Sequence, residues 1–146
     1  MIMNYLRIAL AGLGGTVAYF VMGGLLFGVV PQLRDEFRKY PAVYRDQEGI
    51  KAVMPIGMAA MFFSILVLAV IYALAYRGGS GLMEGARFGI LVGLFALGAF
   101  VLHNYVNLNI GVSITVQQAI AYMLEWLLVG IVIGLIYKPA ATLVGS

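Results

Sequence analysis

The sequence predicts an all-α membrane protein whose four transmembrane helices form an up-down-up-down bundle, and three observations carry that expectation. Of 146 residues, 63% are hydrophobic and 10% charged, against about 45–50% apolar and about 25% charged in soluble domains. The charges are clustered, so they leave apolar runs longer than the roughly 20 residues that a helix needs to cross a bilayer. The connections between most runs are short, which sets successive helices antiparallel.

Composition also excludes several chemistries. The chain has no Cys and one His, so paired-thiol redox chemistry, thiolate metal sites and a bis-imidazole haem within one chain are excluded. A net charge of +3 does not point to nucleic acid. The bases Arg7, Arg34, Arg38, Lys39, Arg45, Lys51, Arg77, Arg87 and Lys138 fall mostly at segment ends, where they meet lipid headgroups.

Taken in order, the first helix is expected over 8–30. Its apolar run exceeds the 7–15 residues typical of a signal peptide and lacks a small-x-small cleavage site, so it reads as a retained span. The loop 31–51 mixes signs and carries Phe37, Tyr40 and Tyr44. It reads as a short interfacial helix up to Tyr40, broken by Pro41, or as a docking surface for another subunit. The second helix is expected over 52–76. The next charge-free run, 88–124, is too long for one span. The polar cluster Asn104, Asn107, Asn109, Gly111 and Ser113 divides it into helices over 86–107 and 113–137. Lys138-Pro139 then supplies a snorkelling base and a stop. All of 1–146 reads as one integral membrane domain. The third loop has no base, and Arg77 and Arg87 bracket the second loop, which places both termini in the cytoplasm of an inner-membrane protein.

Inside lipid, small residues set how closely helices approach. Helix one aligns Gly12, Gly15, Thr16, Tyr19 and Gly23; helix two aligns Gly57, Ala60, Ser64, Ile71 and Ala75; helix three aligns Gly85, Gly89, Val92, Ala96, Ala99 and His103. The GxxxG pairs Gly24/Gly28, Gly89/Gly93 and Gly130/Gly134 suit bundle packing or a homodimer contact.

Only Glu125 and His103 are ionisable groups within the spans that titrate near or below neutrality. An ionised acid at the bilayer centre costs on the order of 3 kcal/mol, so it is rarely there without a partner or a role. Gln118, Tyr122 and Glu125 share one stripe of helix four. His103 and Asn107 are expected at similar depth on helix three, and Tyr19 and Ser64 near mid-membrane. Together these seven residues form an expected polar path from the third loop to Glu125. Structural hydrogen bonding is the competing reading. Met54, Met58 and Met61 share a helical face, and thioethers suit Cu(I), although core filling is the ordinary use of Met. No cofactor is expected, and the sequence carries no soluble-enzyme motif. These features favour proton, ion or small-solute transport, or intramembrane ligand binding, centred on Glu125. The alternative is an accessory or assembly subunit of a larger membrane complex.

Three further pieces share a pattern: Gly23-Gly-Leu-Leu-Phe-Gly28 leading out of helix one, the Gly89/Gly93 helix ending in His103-Asn104-Tyr105, and the helix from Tyr122 to Gly134 with its late glycines. In these the chain resembles a group of small, uncharacterised bacterial four-helix integral membrane proteins, without that group's Trp-Tyr pair in helix one. The resemblance implies architecture and bacterial origin, and no activity.

Overall fold

The computed structural model describes residues 3–137, so the expected stop at Lys138-Pro139 lies outside the described residues. Four helical stretches are long and apolar enough to cross a membrane: Tyr5–Val29, Gln47–Ala75, Gly81–Asn107 and Val112–Ile136. The protein is an all-helical, multi-pass membrane protein with a four-helix bundle. Its elements are α1 (Tyr5–Val29), α2 (Pro31–Arg38), α3 (Gln47–Ala75), α4 (Gly81–Ala96), α5 (His103–Asn107) and α6 (Val112–Ile136). A π-helical stretch, Leu97–Leu102, joins α4 to α5 within the third span.

Three helices begin three or more residues earlier than expected, α1 at Tyr5 instead of residue 8, α3 at Gln47 instead of 52 and α4 at Gly81 instead of 86. Charge is disfavoured in hydrocarbon but not in a helix. Asp46 starts α3 by accepting the Gly49 N–H at 2.8 Å, and Glu48 in the first turn pairs with Lys51 at 3.0 Å. At about 1.5 Å per residue, 29 residues span well over the roughly 30 Å of hydrocarbon, so these first turns stand in the headgroup layer. Asn4 caps α1 in the same way, accepting from Arg7 N–H at 3.1 Å. The expected interfacial helix is α2, which ends at Arg38 ahead of Pro41.

Neighbouring helices follow the order α3, α1, α6, α4. The closest packing joins α4 to α6, and glycine makes it possible. A Cβ on Gly85 would lie 2.5 Å from the Gly130 carbonyl oxygen, one on Gly130 would lie 2.5 Å from Gly89 Cα, and one on Gly89 would lie 2.5 Å from the Trp126 carbonyl oxygen. Gly81 and Gly134 are equally tight against each other, and Gly93 sits under the Met123 sulfur. On α1, Gly15 lets the backbone settle between Ile65 of α3 and Ile133 of α6. These contacts converge on a core that includes Ile65, Ala69, Trp126, Val129 and Ile133.

The Gly24/Gly28 pair has no atom within 4 Å of where its Cβ atoms would be. It takes no part in packing within the chain, although the preceding Gly23 faces Glu125. Gly57 is likewise open. The buried residues of α3 are Ile65, Ala69, Tyr72 and Ala73, while its earlier half exposes Ile50, Met54, Ile56 and Met58. Pro55 lies in that half and withholds the N–H that would bond the Lys51 carbonyl. Apolar exposure on this scale marks a surface that lipid or another protein covers.

Candidate functional site

The centre of the bundle is α6, flanked by α1 and α4. Gly130 and Gly134 on one face serve α4, while Gln118, Tyr122 and Glu125 at helical spacing occupy another. Glu125 is 6% exposed. Helical side chains lean toward the N-terminus of their helix, so the Glu125 carboxyl rises toward the end of the bundle that carries loop 30–46. There it meets α1 at Gly23, where a Cβ would lie 3.1 Å from the Glu125 Oε1. The missing side chain of Gly23 is what admits the carboxyl.

Tyr19, one turn earlier on α1, has its hydroxyl within interaction range of the Glu125 carboxyl. Its ring lies 5.5 Å from that of Trp126, whose buried indole N–H has no hydrogen-bond partner. On the other side of Glu125, Tyr122 is in electrostatic reach of both Glu125 and Tyr44. Gln118 closes the series by donating its Nε2 hydrogen to the Tyr44 hydroxyl at 3.0 Å. Polar groups therefore run from loop residue Tyr44 through Gln118 and Tyr122 to Glu125 and Tyr19.

The loop is fixed over this series by a second long-range hydrogen bond. Gly111 N–H, at the uncapped start of α6, donates to the Tyr40 hydroxyl at 3.0 Å. Helix starts leave backbone donors unsatisfied, and here a distant tyrosine takes the place of a local cap. Around it, Phe37 stacks edge-on to Tyr44 at 4.8 Å, and Phe27 of α1 packs on Phe37 at 5.5 Å. Glu36 is buried on α2 and holds Lys39 at 2.6 Å. The carboxylate hydrogen bond raises the Lys39 ammonium pKa above its ordinary value.

Sequence reasoning assigned Tyr40 and Tyr44 only to headgroup depth. Their partners lie more than 70 residues away, and no local pattern announces such a pairing.

Three residues of the expected path lie elsewhere. His103 and Asn107 are exposed, and Asn107 Nδ2 donates to the His103 carbonyl at 2.9 Å. The π-helical stretch explains the departure. Burial follows Gly85, Gly89, Gly93 and Ala96 and then moves to Val101, a step of five residues where an α-helix would take three or four. The wider turn rotates His103 off the buried stripe. Ser64 is exposed and donates to the Ala60 carbonyl at 2.9 Å, because it lies off the face of α3 that buries Ile65, Ala69 and Ala73.

The three thioethers do not converge either. Met54 and Met58 line separate grooves, while Met61 packs against the core. Among the described residues no three His, Cys, Asp or Glu side chains group to hold a metal.

Two grooves mark the surface. One, of about 1380 Å³, lies under loop 30–46 and has Tyr44 in its wall. A smaller apolar one, about 560 Å³, runs between α1 and α3 past Thr16, Phe20 and Phe62. Glu125 is in the wall of neither. What the arrangement can do chemically is bind a proton: phenols and a primary amide both donate and accept, and they lead from the loop to a single carboxyl. No family model, curated protein or solved structure matches the chain.

Proposed function

We propose that Glu125 is an intramembrane proton-binding site that exchanges with the aqueous phase on the loop 30–46 side, through Tyr122, Gln118 and Tyr44. The observation that carries this reading is the burial of Glu125, 6% exposed and set against Gly23, with the Tyr19 and Tyr122 hydroxyls in its reach. An intramembrane acid is a functional candidate by default, and this one has Tyr122 in electrostatic reach, which also reaches Tyr44, the hydrogen-bond partner of Gln118. The protein then serves proton movement or a proton-linked step in a bacterial inner membrane, with both termini cytoplasmic.

Acid-jump measurements on reconstituted vesicles with a trapped pH dye test this. Wild-type protein should speed equilibration over empty vesicles, and Glu125→Gln should return it to the empty-vesicle rate. Equal rates for wild type and Glu125→Gln would remove proton movement as the function.

A second reading, a subunit of a homodimer or larger membrane complex, rests on surface that the chain leaves unpacked: the early half of α3 and the open Gly24/Gly28 edge of α1. Purification in a mild detergent decides it. A stoichiometric partner supports assembly, and a stable monomer counts against it.

A further inference from the structure

The groove under loop 30–46 has a wall that proton binding at Glu125 leaves unused. Its apolar part comes from the spans themselves, with Phe27 near the end of α1 and Ile50 and Met54 near the start of α3. Its polar part carries Arg34, Arg38, Arg45 and Lys51. The acids nearby are already engaged. Asp46 caps α3, Glu48 pairs with Lys51 at 3.0 Å, and one carboxylate, Asp35, serves both Arg34 at 3.9 Å and Arg38 at 3.4 Å. Arg45 pairs with no carboxylate among the described residues. The groove therefore keeps an excess of guanidinium charge, and its wall changes from charged to apolar toward the lipid-facing helices.

We propose that this groove binds an anionic phospholipid, with its phosphate among Arg34, Arg38 and Arg45 and an acyl chain along Phe27, Ile50 and Met54. Guanidinium groups match phosphate oxygens in planar, bidentate geometry. A free anion would use the arginines but not the apolar wall. A zwitterionic lipid would bring its own ammonium into a site with surplus positive charge.

Native mass spectrometry of the full chain in detergent tests the proposal, with phosphatidylglycerol and phosphatidylcholine of identical acyl chains at equal concentration. Wild type should retain phosphatidylglycerol at least tenfold better. The variant Arg34→Gln/Arg38→Gln/Arg45→Gln should retain the two lipids alike, while Arg77→Gln/Arg87→Gln, which removes the same kind of charge from the other end of the bundle, should keep the preference. If the triple variant does not fold, Arg45→Gln alone should lower the preference several-fold. Equal retention of both lipids by wild type, or an unchanged preference in these loop variants, would overturn the proposal. So would displacement of the lipid by millimolar inorganic phosphate, which would mark a small-anion site.

Discussion

Replacing Gly130 by Ala should open the bundle where α4 and α6 pack backbone to backbone. The new Cβ would lie 2.5 Å from the Gly85 carbonyl oxygen and from Gly89 Cα, about 0.9 Å inside the 3.4 Å at which ordinary contact begins. The obstructing atoms are backbone, so no side chain can rotate away and α4 must move bodily from α6. Overpacking of this kind costs about 1–3 kcal/mol, and rigid backbone on both sides puts Gly130→Ala at about 3 kcal/mol, roughly a hundredfold in the unfolding equilibrium. The companion variant is Gly24→Ala, which adds the same methyl where nothing lies within 4 Å. It should be neutral or up to about 1 kcal/mol stabilising, since Ala is the better helix former. Steric-trapping measurements of unfolding in bicelles would give both values. Equal stabilities for the two variants would refute glycine contact as what holds α4 on α6.

Gly23→Ala puts a Cβ 3.1 Å from the Glu125 carboxyl oxygen and should slow vesicle proton equilibration several-fold, whereas Gly24→Ala should leave it unchanged. Tyr40→Phe removes the acceptor of the Gly111 N–H and should cost about 0.5–1.5 kcal/mol, read as faster amide exchange at the start of α6. The Lys39 ammonium titrates above its ordinary value because of Glu36. Its contribution to holding α2 is therefore full below the unfolded-state value and is lost as pH rises through the raised one. NMR titration should find the Lys39 midpoint lower in Glu36→Gln.

The four long apolar helices, their order and the short helix before Pro41 were legible because the scarcity of charge is a solvent statement, read directly from composition. Helix ends were less so: Asp46 and Glu48 break a charge-free run yet start α3, because a capping carboxylate belongs in the headgroup layer. On α6, a regular 3.6-residue period placed Gln118, Tyr122 and Glu125 on one face. The same arithmetic misplaced His103, since a π-helical turn shifts every later residue and nothing in Leu97-Gly-Ala-Phe-Val-Leu102 signals it. Ser64 was misplaced for a different reason. Its depth was read from its helix, but its orientation depends on how α3 leans, which is a tertiary property. The Tyr44–Gln118 bond joins residues that no periodicity relates.

Infrared difference spectroscopy between acid and alkaline pH, on protein in nanodiscs, bears straight on proton exchange at Glu125. Wild type should show a titrating carboxyl C=O band that is absent in Glu125→Gln. Tyr44→Phe and Gln118→Leu should shift that band or slow its exchange in deuterated water, while His103→Gln should leave it unaltered. A carboxyl band that persists in Glu125→Gln, or an exchange rate that responds to His103 and ignores Tyr44 and Gln118, would contradict the account.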